Sequence, residues 1–146
     1  MTVDPIVHTY DLACGVEDAF DVYTRRIGEW WHPAYSADPD TLEVVRIEPR
    51  VDGRVFATHA GGEEFDWGRV TGWEPPRLLA HTFTLAMSAE HPSLVTVEFG
   101  ARADGCHVRF EHGGWHDGNA GFRSKYGDWP VILDRFVALT DRPAAG

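Results

Sequence analysis

Long apolar runs are missing from this chain, so nothing in it supplies the about 18 consecutive apolar residues of a membrane helix, and membrane insertion is not expected. The stretch from Met1 to Ile6 carries Asp4 and Pro5 and no basic region leading into an apolar run. A secretory signal is therefore not expected, and the expected compartment is the cytoplasm. Cysteine is scarce: Cys14 and Cys106 are too few for the disulfide framework of a small secreted domain and lack neighbours at zinc-ligand spacing. Their plain reading is two small buried thiols. Basic residues are outnumbered, 13 against 23 acidic, for a net charge of −10. Such a chain repels phosphate backbones and anionic lipid, so nucleic acid is not an expected partner. Gly-x-Ser-x-Gly and P-loop sequences are absent, and Gly61-Gly62 lacks the lysine and hydroxyl residue that hold phosphate. The histidines are scattered. His112 and His116 stand four apart, but Gly113-Gly114 between them argues against a helix. No metal and no cofactor is expected.

Tryptophan, by contrast, is concentrated. Five of the six fall in short motifs beside turn formers: Trp30-Trp31-His32-Pro33, Trp67-Gly68-Arg69-Val70 running into Trp73-Glu74-Pro75-Pro76, and His112-Gly113-Gly114-Trp115. The sixth, Trp129, lies in a C-terminal amphipathic stretch. Large rings beside chain reversals mark the rims of sheets and cavities. The 146 residues are expected to form one domain, 1–146, with its core over about 6–140 and no need of metal or disulfide staples.

Ile6 to Leu12 alternates and predicts a strand with Ile6, His8, Tyr10 and Leu12 on one face. Val16, Ala19, Phe20 and Tyr23 then recur at helical spacing, with Glu17 and Asp18 in an acid-favouring first turn. Gly28 is expected to break that helix before a short turn at Trp30-Trp31, and Pro33 to Asp40 reads as a loop. Six strands follow: Leu42 to Ile47, Arg54 to His59, Glu64 to Thr71, Arg77 to Phe83, Leu94 to Arg102 and Cys106 to His112. Asp52-Gly53 and Asp104-Gly105 supply hairpin turns, and Ala86 to Pro92 a looser connection. Glu63-Glu64 and Asp66 read as a solvated edge that deters strand pairing. Phe122, Tyr126, Trp129, Leu133, Phe136, Val137 and Thr140 share one wide helical face. Pro130 inside it predicts a kink, or a fresh start capped by Asp128, and Pro143 to Gly146 is expected to fray.

The order is a strand, a helix pair, six strands and a long helix with a large apolar face. A curved antiparallel sheet wrapped around that helix buries the face, and leaves a cavity wherever the two do not meet.

The motifs also resemble a known family, the SRPBCC or START-like superfamily, and within it the branch related to the activator of the heat shock protein 90 ATPase. The resemblance rests on Ala19-Phe20 followed by Trp30-Trp31, on Gly53-Arg54-Val55, on Trp67-Gly68-Arg69-Val70 with Trp73-Glu74-Pro75-Pro76, and on His112-Gly113-Gly114-Trp115 with Gly127-Asp128-Trp129. It covers about residues 6–140. It implies an α+β helix-grip fold: about seven antiparallel strands gripping a C-terminal helix over a cavity. Members are often binders of small apolar molecules, and some relatives are cyclases or other enzymes. The chaperone activator carries a separate domain ahead of the related one, whereas here the first strand begins within six residues of Met1. A chaperone partner is accordingly not expected, and a homodimer is left open.

The expected ligand is a small, mostly apolar molecule. Trp31, Trp67, Phe83, Tyr126 and Trp129 are the candidate lining, and equally candidate core. Tyr10 and His112 are the candidate polar anchors. His112 shares parity with Cys106, Val108 and Phe110 and so faces the apolar side. One reading makes it an anchor, or the acid or base of a cyclase- or hydrolase-type enzyme. The other makes it a histidine locked by hydrogen bonding where the strand turns into Gly113-Gly114. An enzyme needs a second polar group converging on the same point, and the sequence names none, so binding is the leading expectation. A co-chaperone-like interaction module is the third.

Overall fold

Alternation and helical spacing translate into elements with small shifts at their ends. The computed structural model describes residues 4–85 and 90–140. Most of the connection expected over Ala86 to Pro92 and the whole Pro143 to Gly146 tail lie outside these residues. The strands are β1 (Ile6–Leu12), β2 (Leu42–Ile47), β3 (Arg54–His59), β4 (Glu64–Glu74), β5 (Leu78–Phe83), β6 (Ser93–Arg102) and β7 (Gly105–Gly113). The helices are α1 (Val16–Thr24), α2 (Ile27–Trp30) and α3 (Trp129–Thr140), with tight 3-10 turns at Pro33–Tyr35, Ala60–Gly62 and Ala120–Tyr126.

All seven strands join one antiparallel sheet in the order β1-β7-β6-β5-β4-β3-β2. Strands β2 to β7 form a meander, and β1 returns to pair with β7, Ile6 opposite His112 and Leu12 opposite Cys106. The curled sheet holds α3 against its concave side. This is the α+β helix-grip arrangement. Val95, Val97 and Phe99 of β6 and Val108 and Phe110 of β7 are buried there, facing Trp129, Ile132, Leu133 and Phe136 of α3. Both thiols are free and side by side, Cys106 buried and Cys14 half-buried.

Three local expectations change. The first helix ends at Thr24, before Gly28, which instead lies inside α2. A Cβ on Gly28 would come within 2.7 Å of Val44 Cγ2 and 3.2 Å of the Val45 carbonyl, so the glycine lets α2 lie directly on β2. The acidic run guards no edge: β4 is an interior strand, and Glu64 and Asp66 hold the Arg54 guanidinium at 3.0 and 2.7 Å. The single apolar face expected from Phe122 to Thr140 is divided between two elements, and of the two alternatives at Pro130 the fresh start is the one found. A 3-10 segment stops at Tyr126 and α3 begins at Trp129, with Pro130 in the first turn where its missing N–H costs nothing. The Asp128 carboxylate accepts the Tyr35 hydroxyl at 2.9 Å.

Candidate functional site

A cavity of about 200 Å³ lies where the 3-10 segment hands over to α3, between the end of β5, the Pro33–Tyr35 turn and the start of α3. Trp31, Phe83, Tyr126, Trp129 and Ile132 form its buried walls with half-buried Leu85. Tyr35, Ser36, Lys125 and Asp128 stand at the rim. The walls brace one another: Trp31 meets Trp129 edge-on at 5.9 Å, and Phe83 lies 5.7 Å from Trp129 and 6.2 Å from Tyr126. Such tilted and edge-to-face contacts set rings in fixed orientations. The Tyr35–Asp128 hydrogen bond fastens the turn to the head of α3 across the rim.

Of the residues expected at the site, the fold brings Trp31, Phe83, Tyr126 and Trp129 together around this cavity. It places Trp67, Tyr10 and His112 outside the lining. Trp67 backs Trp31 at a centroid distance of 5.0 Å. Tyr10 sits half-buried on β1 opposite Val108, where burial and, second, the Asp134 carboxylate push its hydroxyl up from the ordinary tyrosine range. His112 lies behind Trp129, fully buried.

The surroundings of His112 decide its protonation. The Trp129 indole N–H, which can only donate, points at Nδ1 from 3.0 Å, so Nδ1 carries the lone pair. The proton is therefore on Nε2, which donates to Ser93 Oγ at 2.6 Å, and the Ser93 hydroxyl in turn donates a hydrogen bond to the Phe83 carbonyl at 3.1 Å. The Trp115 indole donates to the His112 carbonyl at 2.9 Å. Burial first, then the charges of His81 and Arg123, push the imidazole down to about 3, so it stays neutral. A serine is activated by a histidine whose Nε2 accepts, and here the polarity is reversed. The chain Trp129–His112–Ser93–Phe83 ties α3 to β7, β6 and β5. Sequence reasoning missed Tyr35, Leu85, Asp128 and Ile132 as cavity residues. The only local signal was Asp128 beside Trp129.

Residues 13–141 match the family described as Activator of Hsp90 ATPase homolog 1-like protein. The chain belongs to this family, AHSA1. It is the branch of the SRPBCC superfamily to which the tryptophan motifs pointed. Among curated proteins none matches the chain by sequence. Among solved structures, a Mesorhizobium loti protein, MLL2253, is similar at 24% identity and a TM-score of 0.69, covering 95% of this chain and 98% of its own. The Aha1 dimer from Colwellia psychrerythraea is similar at 16% identity and a TM-score of 0.70, covering 95% and 97%. An anthrahydroquino-γ-pyrone synthase, Txn09, complexed with SUM, is 25% identical with a TM-score of 0.58, covering 99% of this chain and 92% of that one. The AHSA1 fold is thus shared over nearly the whole chain. Among the described residues no helix is long and apolar enough to cross a membrane, and no three His, Cys, Asp or Glu side chains gather to hold a metal ion.

Proposed function

We propose that this AHSA1-family chain binds a small, mostly apolar molecule in the cavity at the head of α3. The observation that carries the proposal is the aromatic frame of Trp31, Phe83, Tyr126 and Trp129 around about 200 Å³ of space. A cavity of roughly 150 Å³ lined by apolar side chains takes up benzene, so this one suits one or two rings rather than a long lipid. The likeness to a synthase complexed with SUM supports a fold that encloses a ligand. That likeness also favours a rival reading, a cavity enzyme of cyclase or hydrolase type. His112 as its acid or base is opposed by its position behind Trp129 and by the reversed Ser93 hydrogen bond. A chaperone-type interaction module has the family likeness alone in its favour.

Titration with toluene, followed by the fluorescence of Trp31 and Trp129, tests the proposal. Saturable quenching is the expected result, and Ile132→Phe, which fills the cavity, should abolish it while the protein still melts cooperatively. An unresponsive wild-type protein would sink the binding reading.

A further inference from the structure

The hydrogen-bonding capacity of the cavity is one-sided. Three buried side chains in its walls carry an N–H or O–H donor, and each donor is spent inside the protein. The Trp31 indole donates to the Tyr35 carbonyl at 3.0 Å, the Trp129 indole to His112 Nδ1 at 3.0 Å, and the Tyr126 hydroxyl to the Leu85 carbonyl. At the rim the same holds for Ser36, which donates to the Pro33 carbonyl at 2.7 Å, and for Tyr35, which donates to Asp128. An indole nitrogen has nothing further to offer. A phenol oxygen that has given its proton away still holds lone pairs, and donating makes it a better acceptor. Burial holds Tyr126 protonated, its hydroxyl pushed up to about 12. Among the buried side-chain polar atoms of the walls, the Tyr126 oxygen is therefore the acceptor a ligand can address.

Charge narrows the class further. The rim carries one charge of each sign, Asp128 and Lys125, so it selects neither. In the buried walls an anion would meet no spare donor and a cation no carboxylate, and either would lose its hydration. A neutral flat ring packs against tilted aromatic walls without either cost. We infer that the cavity selects a neutral aromatic hydrogen-bond donor, a phenol-like ring whose O–H or N–H is received by the Tyr126 oxygen. The inference rests on the ligand-binding reading above.

Five probes of similar size separate the two. Phenol, anisole, toluene, benzoate and tetramethylammonium are titrated into the intact protein by calorimetry at neutral pH. Anisole keeps the oxygen of phenol and loses the donor, and both it and toluene are more apolar than phenol. In a merely apolar cavity they therefore bind tighter. The inference expects the opposite order, phenol ahead of anisole by roughly fivefold or more, with no measurable binding of benzoate or tetramethylammonium. Anisole or toluene matching phenol, or either ion binding, overturns the inference while the binding reading stands. Failure of all five overturns both. In Tyr126→Phe the preference of phenol over anisole should vanish while toluene still binds, and a preference that survives removes Tyr126 as the acceptor. The wild-type series stands whether or not that variant folds.

Discussion

Replacing His112 by phenylalanine keeps a ring of similar size in the core but leaves the Trp129 indole N–H aimed at carbon. A buried donor orphaned in this way costs about 1–3 kcal/mol. His112→Phe should therefore lower stability in urea denaturation by that amount and leave toluene uptake in the folded fraction unchanged. Lost uptake at unchanged stability would make the imidazole a binding residue after all. A second residue-scale consequence concerns acid. Burial pushes His81 down to about 4 and His112 down to about 3, while an unfolded histidine takes a proton near 6.5. Between those limits the unfolded chain binds protons that the folded chain refuses, so stability rises with pH and is lost as pH falls from about 6.5. Each ring contributes a slope of up to about 1.4 kcal/mol per pH unit. Denaturation from pH 7 to 5 should show a steeper loss in the wild type than in His81→Gln, and equal slopes would mean that His81 is protonated in the fold. The direction His112 faces was legible from the alternation of β7. Its partners were not, because Trp129 and Ser93 reach it from other elements, 17 and 19 residues away.

Among the elements, α3 and the β4–β5 pair carry the most consequence. Trp129 lies at the start of α3, touching Trp31, Phe83, Phe110 and His112. Trp129→Ala should cost about 3–5 kcal/mol and collapse a wall of the cavity. A loss below about 0.5 kcal/mol, the scale of a surface change, would mean that α3 does not pack as described. Gly68 makes a different kind of demand. A Cβ there would come 1.8 Å from the Thr82 carbonyl oxygen, which is backbone and cannot swing aside. Gly68→Ala should destabilise by about 3 kcal/mol or more by forcing β4 and β5 apart, and a neutral result would put this register in error. The strands were readable because alternation and turn residues are local signals, accurate to within three residues at the ends. The start of α3 was readable only as a choice between kink and restart. Pro130 dictates that the helix is interrupted, whereas tertiary packing of Tyr126 and Trp129 decides where it resumes.

For the whole molecule, the cavity was predictable as a corollary of sheet meeting helix, and its lining only in part. Aromatic spacing identifies rings that will be buried. It does not distinguish Trp31, which faces the space, from Trp67, which stands behind it. The rim was out of reach of pattern reading, since Tyr35 and Asp128 are brought together across 93 positions by the finished fold alone. The same dependence on completion has a consequence for how the chain is made. The residues of β1 pair with residues of β7 that lie about 100 positions further along the chain. At a synthesis rate of about 5–20 residues per second, β1 waits on the order of 5–20 s for β7 to be made. Until then both its edges are open, and Ile6, Tyr10 and Leu12 have no sheet to lie in. The pairing of β1 with β7 is thus a long-range contact that closes only after most of the sheet has been synthesised.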